Sequence, residues 1–203
     1  MYREVPLTVK YQILVASENH ERLFKRIPAG LWLPDCGFYP GLEELLKPCG
    51  IKYFFSATHG VLNADEKPFR GIYAPLETPN GISVFARDRA ASDAIWSAQN
   101  GFLGHLDYRE FYRDIGFDLS EDYIADFGIE DGHRVNTGFK YHAITGDTKG
   151  KKIYDPLKGL ERARIDAQTF LRNRIIQCKT VSKYMDRPPL IVGAFNAELF
   201  EHW

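Results

Sequence analysis

The chain has 203 residues, enough for one ordinary domain, and its 44% hydrophobic and 26% charged content is that of a globular protein, not a disordered one. A formal net charge of −1 with no long basic run argues against nucleic acid as the main partner, and no apolar stretch approaches the roughly 20 residues of a membrane span. Cys36, Cys49 and Cys178 are odd in number and lack CxxC spacing, so a disulfide framework or zinc cage is not indicated and a reducing cytoplasm fits, as does the absence of a secretory apolar core in MYREVPLTVKYQ.

In chain order, residues 1–29 predict a helix around Gln12–Arg26 and no strand that carries a site. Leu31–Leu33 is a predicted strand, stopped by Pro34 and followed at once by Asp35 and a Cys-Gly turn with two aromatics. Leu42–Leu46 predicts a short helix closed by Pro48 and Gly50, and Lys52–Ser56 the next strand, followed by Thr58-His59-Gly60. Gly71–Ala74 and Ile82–Ala86 read as shorter strands joined through the turn Pro79-Asn80-Gly81. Ser92–Ala98 and Tyr108–Ile115 read as helices and Phe139–Thr145 as an alternating strand.

A long helix follows, from about Leu157 to Met185, in which Leu160, Ala163, Ala167, Leu171, Ile175 and Cys178 form one apolar stripe, expected to pack inward. Pro188-Pro189 ends it, and Leu190–Phe195 is a continuous apolar run of the kind that marks a strand buried on both faces. Strand and helix alternate without a repeat or linker, which predicts an α/β domain with parallel strands. The chain stops inside an apolar-aromatic run at Trp203, which leads us to expect a fragment of a longer protein.

Two of these strands end in polar residues. Asp35 follows the first, and Asn196, Glu198, Glu201 and His202 follow the last. A buried strand that delivers an acid at its C-terminal end is how an α/β barrel presents a catalytic carboxylate, and one barrel could bring both ends to its mouth. The plainer reading of Asp35 is a turn-capping aspartate. Aromatics make up 14% of the chain, which serves either a large core or a cleft where rings stack on sugars.

The runs GLWLPDCGFYPGLEELL, YFFSATHGV, VFARDRAASDAIWSAQNGFLGHLDYREFYRDIGFDL, TGFKYHAITG and FNAELFEHW together resemble glycoside hydrolase family 57, in order, from about residue 28 to 203. Within it the chain is similar to the 1,4-α-glucan branching enzymes and relatives described as α-amylases. The resemblance implies part of a (β/α)7 barrel with parallel strands, a retaining mechanism, an α-1,4-glucan as partner, and no cofactor or metal. The N-terminal histidine motif and C-terminal helical domain of the family have no counterpart in this sequence, so the barrel is expected to be incomplete, with edges through which copies could associate.

The resemblance also assigns residues. The family has Glu as nucleophile in WLPE, where this chain has Asp35, and Asp as general acid/base in DAELFGHWW, where it has Asn196. The flap usually written Gly-Tyr-Pro-Gly-Asp reads Gly101-Phe102-Leu103-Gly104-His105, so the Phe102 ring lacks a hydroxyl. Trp32 and Phe102 are the rings expected to meet sugar, Phe102 alternatively being a loop aromatic that covers the core, and His59 and His202 either line the cleft or are ordinary strand-end histidines. Glu198, two residues beyond Asn196, shares its side if the strand continues, as a substitute acid or as a hydrogen-bonding neighbour.

Overall fold

The computed structural model describes residues 6–146 and 150–195. Contacts divide the chain into two compact units, Met1–Arg89 with Gln177–Ala194 and Ala90–Ile176 with Phe195–Trp203. The fold is α/β, a partial barrel with parallel strands.

The first unit begins with α1 (Pro6–Phe24), then β1 (Gly30–Trp32), α2 (Leu42–Leu46), β2 (Tyr53–Ser56), α3 (Thr58–Leu62), β3 (Leu76–Glu77) and β4 (Ser83–Ala86). The sheet order is β1-β2-β4-β3. β1, β2 and β4 are parallel, in the register Trp32↔Phe55 and Phe55↔Phe85, and β3 closes the edge as an antiparallel hairpin with β4. The hairpin turns at Pro79-Asn80-Gly81, where Gly81 takes φ 79° and Thr78 brackets the turn: its N–H donates to Ile82 O at 2.9 Å and its Oγ1 accepts from Ile82 N at 3.1 Å.

Strand alternation gives this sheet two different faces. Phe54 is fully buried and clusters with Val9 and Ile13 of α1, Leu42 and Leu46 of α2, and Leu33, Ile51 and Ile82, with Leu31 and Val84 packed against them. That face is mainly aliphatic around Phe54 and is covered by α1 and α2. The other carries Trp32, Tyr53, Phe55 and Phe85, whose rings meet at 5.9 Å (Trp32–Phe55), 5.8 Å (Tyr53–Phe55) and 5.5 Å (Tyr53–Phe85). Gly30 has to be glycine for this packing, because a Cβ there would stand 2.2 Å from the Tyr53 ring.

The second unit contains α4 (Arg89–Trp96), which starts at the end of the first, α5 (Ile115–Asp118), α6 (Glu121–Ile124), the hairpin of β5 (Ile129–Glu130) and β6 (His133–Arg134), and most of α7 (Pro156–Val181). Asp114 organises its loops. Its buried carboxylate caps α5 by accepting from Gly116 N at 2.8 Å, and also accepts from Thr137 N, Thr137 Oγ1 and Gly138 N at 3.1, 2.8 and 2.9 Å.

Several expectations need correction. Gly71–Ala74 is a turn, with Gly71 at φ 55°, and the strand falls on Leu76–Glu77 instead. Tyr108–Ile115 is not a helix and Phe139–Thr145 is not a continuous strand. They lie alongside each other, with Glu110 N on His142 O, Ile144 N on Tyr108 O and an isolated bridge Arg109↔Ala143, so pairing between distant segments overrides the local helical preference. Leu190–Phe195 forms no ladder. After Pro188 and Pro189 its described backbone bonds are Leu190 N to Tyr73 O and Val192 O from Asp88 N.

The largest correction is α7. Of its expected inward stripe, Leu160, Leu171 and Ile175 are 54%, 60% and 45% exposed. The buried residues are Gly159 and Asp166, and Arg162, Phe170, Arg174 and Gln177 are half-buried on the same spacing. The helix turns its polar side in, because that side holds Asp166, which accepts from Tyr108 Oη at 2.7 Å and Arg162 Nε at 3.0 Å. Burial raises the Tyr108 phenol well above its usual range, and the Asp166 bond raises it further.

Candidate active site

The C-terminal ends of the parallel strands carry the polar residues, as the sequence leads one to expect for an α/β barrel. β1 runs into the 3₁₀ turn Pro34–Cys36, in which Asp35 sits at φ 51°, ψ 25° and Cys36 at φ 55°. Two successive non-glycine residues in the left-handed region cost free energy that the surroundings must meet. Here Cys36 N donates to Leu33 O and Gly37 N to Pro34 O, both at 2.9 Å, while the Cys36 side chain is buried. The turn leaves Asp35 exposed, three residues beyond Trp32.

β2 ends in Ser56 and passes through Ala57 into α3, so that His59 stands exposed in its first turn. β4 ends in Arg87 and Asp88, which the sequence reading left out. Asp88 is 2% exposed and accepts from Gln177 Nε2 at 2.5 Å, and Gln177 also reaches Tyr73 Oη at 3.1 Å. Arg87 N donates to Ser56 O at 2.8 Å and Arg87 O accepts from Thr58 Oγ1 at 2.5 Å. The rule that singled out Asp35, a charge directly after a β-prone run, finds Arg87-Asp88 equally well in VFARD.

Asp35, Trp32 and His59 therefore share one sheet end in the first unit. Phe102 lies half-buried in the second, in the 3₁₀ turn Phe102–Gly104. Asn196, Glu198 and His202 lie outside the described residues, as does Glu201. The described segment leading to them passes beside β4, since Asp88 N donates to Val192 O at 2.8 Å.

The local electrostatics meet at Cys36. Burial pushes its thiol up, Arg87 pulls it down and Asp35 pushes it up. Among the described residues no group of three His, Cys, Asp or Glu is arranged to hold a metal ion, and no helix is long and apolar enough to cross a membrane.

Comparison with known proteins shows the family of the chain. The glycosyl hydrolase family 57 pattern matches residues 7–192. The chain belongs to that family. It is 42% identical to the α-amylase AmyC from Thermotoga maritima, whose crystal structure superposes with a TM-score of 0.89 over 100% of this chain and 40% of that one. The branching enzyme structure from Pyrococcus horikoshii gives a TM-score of 0.77 at 28% identity over 96% of this chain and 35% of that one. The 1,4-α-glucan branching enzyme TK1436 of Thermococcus kodakarensis is 26% identical over 96% of this chain and 30% of its own length. The chain thus spans about 30–40% of the length of these relatives.

Proposed function

We propose that this chain carries part of an α-1,4-glucan-active centre of the branching-enzyme type, with Asp35 in the place of the nucleophile and Asn196 in that of the general acid/base. The observation that carries the reading is the strained Asp35 turn at the C-terminal end of β1, exposed beside Trp32 at the edge of an aromatic face. Residues 28–203 then correspond to a segment of the family barrel. The chemistry requires carboxyl groups and a sugar, and no cofactor. Three free thiols fit a reducing cytoplasm.

A retaining transfer needs two carboxyls about 5–5.5 Å apart, one to attack the anomeric carbon and one to protonate the leaving oxygen and later deprotonate the acceptor. Asp35 keeps the charge but draws it back by one methylene, on the order of 1 Å, a displacement that costs about a hundredfold in rate. Asn196 donates a hydrogen bond but cannot give up and recover a proton, which removes about 10²–10⁴-fold of acid/base help. Glu198 is the residue placed in sequence to substitute, and His59 adds a polar side chain at the sheet end.

Incubating amylose with the chain and with its Asp35→Glu, Asn196→Asp form, each joined to the family's N-terminal histidine motif and C-terminal helical domain, tests this. New α-1,6 links from the double variant, with little or none from the parent, are expected. No turnover by a folded double variant would leave a non-catalytic glucan binder. The higher identity and TM-score of AmyC favour a second reading, α-amylase-type hydrolysis. Reducing ends without new branches would select it.

A further inference from the structure

Arg87 extends the parallel ladder one residue past β4, since its N–H donates to Ser56 O at 2.8 Å as Ser83 N does to Lys52 O at 2.9 Å. Thr58 Oγ1 holds its carbonyl from the other side. With the ladder intact, strand alternation puts residue 87 on the face of Ser83 and Phe85, the aromatic face that also carries Trp32. The residue is half-buried, and its Nε is enclosed without a hydrogen-bond partner. With its Nε unpartnered in this position, the guanidinium gains a hydrogen bond by turning toward an acceptor on the aromatic face, and a ligand oxygen can supply one. The same side chain acts electrostatically on Cys36, the residue next to Asp35.

The geometry points to Arg87 as a substrate-binding residue whose free N–H donates to a hydroxyl of the glucosyl unit lying over Trp32 and against Asp35. This rests on the glucan-active reading above. A fixed, planar fork suits the task because it meets a sugar oxygen at a defined angle, which the point charge of a lysine does not. Such a donor makes the site selective, since a sugar without the matching hydroxyl leaves a buried polar group unpaired.

Calorimetric titration of the full chain with maltoheptaose tests it, using the parent, Arg87→Met, Arg87→Lys and Trp32→Ala. Arg87→Met is expected to weaken binding about 10–100-fold with melting unchanged, and Arg87→Lys to recover only part. Should Arg87→Met fold poorly, Arg87→Lys keeps the charge and serves alone, and parent affinity in that variant overturns the inference. Equal affinity in Arg87→Met and parent also overturns it while leaving the glucan reading intact. No saturable binding by the parent, with Trp32→Ala indistinguishable from it, defeats the glucan reading and this inference together.

Discussion

Asp35 and Cys36 both adopt positive φ, 51° and 55°, although neither is glycine. A left-handed conformation costs an L-residue about 1–2 kcal/mol, least for Asx side chains that bond their own backbone and most for β-branched ones. The substitutions therefore rank in a definite order. Asp35→Gly and Asp35→Asn should leave stability unchanged or slightly raised, and Asp35→Val should lower it by about 1–2 kcal/mol. Urea denaturation of the series measures this, and a Val variant as stable as the parent would remove the strain argument. In an Asn196→Asp background, where the acid/base is restored, all three should lack the glucan turnover that Asp35 supports, which separates the carboxylate's chemical role from its backbone role. Asp35 was legible in the sequence because a proline stops an apolar run just before it. Its strain was not, since LPDC contains no glycine to announce a left-handed turn. Arg87-Asp88 escaped notice because the charges merge into the start of α4.

The helix α7 shows how periodicity can be right about the element and wrong about its face. Its length and its proline stop were readable, and so was the apolar spacing, but the residues that face inward are Asp166 and its neighbours. Periodicity reports where apolar residues recur, and cannot report that Tyr108, 58 positions earlier in the sequence, offers a buried carboxylate its hydroxyl. Leu171→Gln and Ile175→Gln, at exposed positions, should each change stability by no more than about 0.5 kcal/mol. Asp166→Leu, the change that a conventional amphipathic helix would welcome, should cost about 2–4 kcal/mol, because it leaves Tyr108 and Arg162 without their acceptor. If the Gln variants are the damaging ones, the apolar stripe is the packed face after all. The strands β1, β2 and β4 were legible for the opposite reason: their apolar runs are short, bounded by turn signals and buried by local neighbours. The pairing of residues 108–115 with 139–145 was not, because it joins segments whose local preferences differ.

Two properties belong to the whole chain. The first is acid sensitivity. Burial alone would raise Asp114 and Asp166, yet both titrate below their ordinary value. The bonds from Gly116, Thr137 and Gly138 outweigh burial at Asp114, and those from Arg162 and Tyr108 do so at Asp166. Each carboxyl thus binds its proton more weakly folded than unfolded. Their contribution is complete above the unfolded value of about 3.9 and is lost as pH falls through the lower folded values. The urea midpoint should be level above about pH 5 and drop below about pH 4, and Asp114→Asn with Asp166→Asn should flatten that drop. The second property is association. α1 exposes Leu7, Tyr11 and Val15 at 68%, 62% and 62%, and α7 exposes Leu157 at 78% along with its apolar stripe. Apolar faces of this extent on helices favour self-association of the chain, at about 25 cal/mol for each Å² they remove from water. The charge pattern sets the direction of the salt effect. α7 carries Lys158, Arg162, Arg164, Arg172, Arg174 and Lys179 against Glu161 and Asp166, six basic minus two acidic, or +4. Two such faces repel, and salt screens that repulsion over a Debye length of about 10 Å at 0.1 M. Sedimentation velocity should show association that grows with protein concentration and strengthens as salt is raised. It should fall in the Leu171→Glu, Ile175→Glu variant if removal of the apolar surface outweighs the reduced repulsion. A parent chain that stays monomeric at high concentration and high salt would contradict the prediction, and association that weakens with salt would assign it to ion pairs instead of to these faces.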